Sequence, residues 1–292
     1  MNAAIGTHLQ LPIPTFGVFV VTAIVISAGV FRKDVWRLES LGTIPALTHT
    51  RIADLVLISV IAGLVGARVF SILDYPEQFL QHPAAMIFTR TGFSIYGGLC
   101  FGLLTGVIFL RKYAIPILPT LDAAAPSMML GYAIGRLGCQ FSGDGDWGIA
   151  SNMQLKPGWL PDWIWAQTYE GNISGVVLPG GGVYPTPVYE TAMALVLFGA
   201  LLMLRSRRYQ PGFLFSTYLM FAGFERLLIE KIRINVDYHL FGLAFTQAEA
   251  ISFTLVLAGL AGAIATLGEH RVWTRGILSV AVISALSACA KL

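Results

Sequence analysis

Four arginines of this sequence stand where a charged side chain is costly. Arg68, Arg136, Arg226 and Arg233 each fall inside, or at the end of, a strongly apolar stretch. A guanidinium cannot shed its proton in a protein, so burying one calls for an anion, from the chain or from a ligand. Arg226, Glu230 and Arg233 follow i, i+4, i+7 spacing and share one helix face. Counting about 1.5 Å per residue from Gly212 puts Arg226 about 21 Å into a span whose hydrocarbon surroundings are about 30 Å thick. Arg136 ends another apolar run, just before a glycine-rich acidic loop, Gly143-Asp144-Gly145-Asp146-Trp147-Gly148. Glu230 alone does not balance these cations, so the residues point to an anionic ligand. A phosphate gripped by bidentate guanidinium contacts fits best, carried on a lipid whose tails stay in the bilayer. The plainer alternatives are arginines that snorkel to the interface and an ion-pair ladder that neutralises itself.

Gly97 and Gly98 follow Tyr96 at the start of a further apolar run. Glycines there either admit a ligand to the backbone and its N–H donors or let two helices pack closely. Titratable groups in the same region of the sequence include Asp144, Asp146 and His239; for the two aspartates the bland reading is turn chemistry, and for His239 a solvated loop position. Cys139 is a nucleophile on one reading and a small packing residue on the other. The three cysteines, Cys100, Cys139 and Cys289, show no metal-ligand spacing. No metal and no cofactor are expected. Trp147, Trp159, Trp163 and Trp165 read as an interfacial aromatic belt.

The elements that must position these residues follow from composition. Over 292 residues the chain is 55% hydrophobic and 12% charged, with a mean hydropathy of +0.70, values of an integral membrane protein. A net charge of +3 gives no ground for nucleic-acid binding. Apolar stretches at 14–31, 52–73, 94–110, 119–140, 188–204, 212–232 and 248–267 predict seven transmembrane helices, and 276–290 a possible short eighth. The fold class is therefore an all-α polytopic membrane protein, a single domain over 1–292. Threading the spans alternately gathers Arg32, Lys33, Arg37, Arg51, Arg111, Lys112, Arg205, Arg207, Arg208, Arg271 and Arg275 on one side, more than half of the 19 basic residues. That side is cytoplasmic by the positive-inside rule, which leaves the N-terminus, the 74–93 loop and an irregular head segment at 141–187 outside.

Taken together, these motifs resemble those of the prolipoprotein diacylglyceryl transferase family. The resemblance is carried by Gly135-Arg136-Leu137-Gly138 with the loop ending in Trp147-Gly148. It extends to Gly66-Ala67-Arg68, His82-Pro83, Gly92 to Leu99, Asp122 with Pro126, Tyr184 to Glu190, and Arg226, Glu230 and Arg233, over roughly residues 10–267. It implies a multi-pass enzyme of the bacterial plasma (inner) membrane with its active site facing the extracytoplasmic side. Such an enzyme moves diacylglycerol from phosphatidylglycerol to the thiol of a preprolipoprotein's lipobox cysteine, releasing glycerol 1-phosphate. Its partners are then phosphatidylglycerol, the signal peptide carrying that cysteine and the lipid bilayer. Arg136, Arg226 and Glu230 are carried over as catalytic, with Tyr96, Asp144 and Asp146 as base candidates. Arg68, Arg233, Gly97, Gly98, Gly135, Gly138, Gln140, Gly148, Tyr189 and Glu190 make up the expected substrate-binding set. The chain departs from the family pattern in three places. Tyr96 replaces a histidine before Gly97-Gly98-Leu99; Cys139-Gln140-Phe141-Ser142 replaces Asn-Phe-Ile-Asn; and the acidic loop is one residue longer. A related transferase with another acceptor, or a binding or transport protein for an anionic lipid, are the competing readings.

Overall fold

The structure is a computed structural model that describes residues 15–88, 94–205, 209–234, 237–240 and 243–267. In chain order the helices are α1 (Thr15–Ser40), α2 (Thr48–Asp74), α3 (Pro76–Gln81), α4 (Pro83–Phe88), α5 (Ile95–Lys112), α6 (Ile117–Ser142), α7 (Asp162–Trp165), α8 (Thr186–Leu204) and α9 (Phe213–Glu230). A hairpin of β1 (Asp237–Leu240) and β2 (Leu243–Thr246) then leads into α10 (Gln247–Thr266). The seven long helices α1, α2, α5, α6, α8, α9 and α10 each overlie one of the seven apolar stretches. Four of them, Thr15–Ser40, Thr48–Leu73, Thr186–Leu204 and Gln247–Thr266, are long and apolar enough to cross a bilayer by length and composition. α9 carries Glu225, Arg226 and Glu230 within its 18 residues, which lowers its apolar character toward its C-terminal end. The 276–290 stretch lies outside the described residues.

Two details beyond the sequence reading come from ion pairing along α1 and from strand pairing before α10. α1 runs on past the apolar window to Ser40, since Asp34 lies 3.6 Å from Arg37 one turn later and sustains the polar end of the helix. The segment before α10 is a short paired hairpin, with Asp237 opposite Thr246 and Leu240 opposite Leu243, within an otherwise all-helical fold. Thr246 then starts α10 with a reciprocal capping box. Its hydroxyl accepts from the Glu249 N–H at 3.1 Å, and the Glu249 carboxylate accepts from the Thr246 N–H at 3.0 Å.

The chain divides into two compact units, Ala28–Ala123 and Met1–Ser27 with Ala124–Leu292. In the first, α2 lies against α5 through small residues. A Cβ added at Gly97 would run into the Gly66 carbonyl, and one at Gly98 would lie 3.4 Å from the Gly63 carbonyl. The Ser94 N–H donates to the Ala67 carbonyl at 3.0 Å, tying the start of α5 to α2. Gly97 and Gly98 are therefore helix-packing residues, the alternative to backbone donors for a ligand.

In the second unit, Ala125, Met129 and Ala133 of α6, Ala194 and Leu201 of α8 and Leu214 of α9 form a fully buried core. Close contact of α9 with α10 rests on Gly223, whose Cβ would meet the Ser252 carbonyl at 2.6 Å, and on Gly259, opposite the Ser216 carbonyl at 2.5 Å. Trp147 is 6% exposed and packs against Tyr169 with ring centroids 5.3 Å apart and the rings tilted by 35°. It is a buried anchor for the head segment and not a belt residue. Trp159 and Trp163 are exposed.

Candidate active site

The polar centre of the second unit is assembled from five places in the sequence. α6 brings Tyr132 and Arg136, α8 brings Glu190, α9 brings Glu225, Arg226 and Glu230, and the turn after α9 brings Arg233. The loop after α6 brings Asp146. That loop turns through Gly143 and Gly145 at φ +61° and +104°, a conformation that suits glycine.

One glycine brings three backbone segments together. The Gly148 N–H donates to the Tyr184 carbonyl at 2.9 Å, and the next N–H, of Ile149, donates to the Ile232 carbonyl at 2.8 Å. A Cβ at Gly148 would lie 2.5 Å from that Ile232 carbonyl. Asp146 precedes this crossing, Thr186 and Glu190 follow it on α8, and Arg233 follows Ile232. The Thr186 hydroxyl donates to the Asp146 carbonyl at 2.5 Å and fixes the loop to the start of α8.

Glu190 is the hub. It has no solvent exposure, and its Oε1 lies 3.1 Å from Arg136 Nη2, 3.5 Å from Arg226 Nη1 and 3.7 Å from Arg233 Nη1. The Tyr132 hydroxyl is 3.0 Å from the same oxygen. Arg226 Nη2 also pairs with Glu230 Oε2 at 2.9 Å, the i, i+4 contact expected from spacing, while Glu230 Oε1 accepts from the Thr246 hydroxyl at 2.6 Å. Asp146 pairs with Arg136 through Oδ2 and with Arg233 through Oδ1, the latter at 2.5 Å. Burial works against ionisation of Asp146, but the Arg136 and Arg233 guanidiniums outweigh it and hold the carboxyl below the usual carboxylate range. That makes Asp146 a counter-ion, with little capacity to take a proton.

This arrangement corrects the charge argument drawn from the sequence. Glu230 is not the sole balance for the arginines: Asp146 and Glu190 join it, giving three carboxylates to Arg136, Arg226 and Arg233. The cluster is balanced, but several of its polar atoms have no hydrogen-bond partner among the described residues, including Arg136 Nε, Arg233 Nε and Glu190 Oε2. A buried donor without a partner is costly, so such atoms are where an incoming oxygen ligand gains most.

The remaining predicted residues divide clearly. The Gln140 amide oxygen accepts from the Tyr169 hydroxyl at 2.6 Å, and burial pushes that phenol above its ordinary value, so it stays a donor. The Tyr189 hydroxyl donates to the Ile164 carbonyl at 2.6 Å and secures the head segment. Gly138 gives room to Phe16 and Phe19 of α1, whereas nothing lies within 4 Å of a Cβ at Gly135. Asp144 stands beside the cluster, its Oδ1 accepting from the Asp146 N–H at 3.3 Å. Cys139 is buried, and its sulfur lies with carboxylate oxygens of Asp144 and Asp146 within 4.8 Å of one another. Two guanidiniums already occupy Asp146, and their charge opposes a cation there. Arg68 is a partly buried residue of α2, in the other unit. The side chains of Tyr96 and His239 lie outside the described residues. Sequence reasoning missed Tyr132, one turn before Arg136, and Glu225, next to Arg226. Both were legible as polar groups inside apolar helices.

Long apolar helices around a buried arginine–carboxylate centre define a multi-pass membrane protein with an oxyanion-matching polar site. The prolipoprotein diacylglyceryl transferase family matches residues 4–265, and the chain belongs to that family. It is 31% identical over 205 residues to a phosphatidylglycerol–prolipoprotein diacylglyceryl transferase of Leptospira interrogans, covering 62% of this chain and 61% of that protein's length. Relatives of the same name in Shouchella clausii and Geobacillus kaustophilus are each 30% identical, covering 78% of both chains in the first case, and 84% of this chain and 85% of the relative in the second.

Proposed function

We propose that this protein transfers the diacylglyceryl group of phosphatidylglycerol to the thiol of a lipobox cysteine in preprolipoproteins, releasing glycerol 1-phosphate. The observation that carries this reading is the convergence of Arg136, Arg226 and Arg233 on one buried oxygen of Glu190. Such a cluster matches a phosphate ester: each guanidinium presents a planar fork to two oxygens, and the ligand's oxygens replace those of Glu190 or Asp146. The thiolate sulfur attacks the glycerol carbon, the carbon–oxygen bond to phosphate breaks, and the arginines stabilise charge growing on the departing phosphate. Glu230 holds Arg226 in register for that contact, and Glu190 holds all three arginines together before the lipid arrives. The thiol proton goes to Tyr96, Asp144 or His239, with Asp146 held as an arginine counter-ion.

The seven long helices cross the bacterial plasma membrane, with the N-terminus and the 141–187 segment on the extracytoplasmic side, where lipobox cysteines are presented. The reading is tested by mass spectrometry of a lipobox peptide incubated with the protein and phosphatidylglycerol. A diacylglyceryl adduct on the cysteine, with glycerol 1-phosphate released, is the expected result. An unmodified peptide alongside glycerol 1-phosphate release would point to a different acceptor.

A further inference from the structure

Beside its balanced ion pairs the cluster holds a further acid. Glu225 is 3% exposed, and its one polar partner among the described residues is Tyr132, whose hydroxyl lies 3.3 Å from Glu225 Oε2; Oε1 has none. The same hydroxyl is 3.0 Å from Glu190 Oε1. A phenol has one proton to give. Glu190 Oε1 faces three guanidiniums and is the ionised acceptor, so the phenol proton belongs to it. The Tyr132 oxygen then offers only lone pairs to Glu225. An ionised Glu225 would set lone pairs against lone pairs in a buried position with no ion pair, whereas a protonated Glu225 donates a hydrogen bond and needs no counter-charge.

We propose that Glu225 and Glu190 share one proton through the Tyr132 hydroxyl. It rests on Glu225 before lipid binds and passes to Glu190 when a phosphate anion enters the arginine cluster. In the transfer Glu225 gives its proton to the Tyr132 oxygen while Tyr132 gives its own to Glu190 Oε1. The phenol is unchanged, Glu225 is left as a carboxylate, Glu190 becomes a neutral acid, and the net charge is constant. Negative charge leaves the oxygen on which the three arginines converge, so their N–H groups turn to the phosphate without a competing carboxylate. The charged neighbours that set this balance are Arg136 from α6, Glu190 from α8, Arg226 on α9 itself and, through Glu190, Arg233 after α9; α10 meets this part of α9 with Ser252 and Val256, at Gly223. The second half of the proposal rests on the phosphate-clamp reading above and makes Tyr132 and Glu225 positioning residues.

Infrared difference spectroscopy on the full-length protein in nanodiscs tests both halves. In phosphatidylcholine discs a protonated-carboxyl C=O band is expected, shifted by isotope-labelled glutamate and lost in Glu225→Gln, a variant that keeps an N–H donor toward Tyr132. In phosphatidylglycerol discs the band should change position as the proton reaches Glu190. In Tyr132→Phe the resting band should persist and the change should be lost. Absence of a glutamate-dependent band in the wild type, or its full survival in Glu225→Gln, overturns the proposal. Native mass spectrometry of the same discs reads lipid retention. Phosphatidylglycerol retained with an unmoved band overturns the transfer and leaves the clamp standing. Phosphatidylglycerol retained no better than phosphatidylcholine overturns the clamp and the transfer together, and the resting band still decides where the proton sits.

Discussion

Glu190 Oε1 lies 3.1 Å from Arg136 Nη2, on a residue with no solvent exposure. The pair joins α6 to α8, and because Arg226 and Arg233 meet the same oxygen, this one carboxylate holds like charges together that would otherwise repel. Glu190→Gln should leave the arginines short of one counter-charge in a buried site. Breaking a buried pair costs about 3–5 kcal/mol, so a clear loss of thermal stability is expected, read by fluorescence-detected unfolding. Unchanged stability would mean that water or lipid already screens the cluster.

Arg136→Lys and Arg226→Lys keep the charge and lose the planar fork. Transfer activity measured on a lipobox peptide should fall more than about tenfold in each. Normal transfer by both variants would rule out phosphate clamping by these two residues.

Gly148→Ala and Gly135→Ala separate packing from ligand approach. A methyl at Gly148 meets the Ile232 carbonyl at 2.5 Å, so the crossing that sets Asp146 against Arg233 must open, and both folding yield and activity should drop. A methyl at Gly135 meets nothing within 4 Å, and alanine favours the helix, so stability should hold or rise slightly. If transfer is nevertheless lost in a stable Gly135→Ala protein, that open face is where substrate approaches.

Asp146 has its folded-state pKa held low by Arg136 and Arg233. Its stabilisation is therefore fully present above the unfolded-state value of about 3.9 and is lost as pH falls through the lower folded-state value. The stability difference between wild type and Asp146→Asn should stay constant from neutral pH down to about 5 and shrink only below about 4. A difference that already declines near pH 6 would show that Asp146 is not held by the arginines.

The resemblance puts Tyr96 in the place of the family histidine, and its proposed role as proton acceptor is decided by the substituents it tolerates. Tyr96→Phe should lower transfer by about a hundredfold while lipid binding persists, and Tyr96→His should retain activity. Full activity in Tyr96→Phe moves the proton acceptor to Asp144 or His239.

On the proposed topology, with the basic loops cytoplasmic, Ser151→Cys should be labelled by an impermeant thiol reagent in intact cells and Ser206→Cys should be protected. The reverse pattern inverts the topology.

Composition and hydropathy were enough to place the seven long helices, because apolar stretches of bilayer length have few other uses. The i, i+4 spacing of Arg226 and Glu230 foretold their 2.9 Å ion pair, since a helix fixes such neighbours locally. The charge balance of the site was not legible in this way. Asp146, Glu190 and Arg233 are far apart in the chain, and only the backbone crossing at Gly148 brings them together. Trp147 was indistinguishable from an interfacial tryptophan until Tyr169 was seen packed against it. Gly97 and Gly98 carried two readings until α2 came to lie against them. Tyr132 and Glu225 stood in the sequence as a phenol and an acid in apolar helices. What sets them to work on one proton is the approach of α6, α8 and α9, because a hydrogen bond between side chains 93 positions apart is specified by packing and not by any local period.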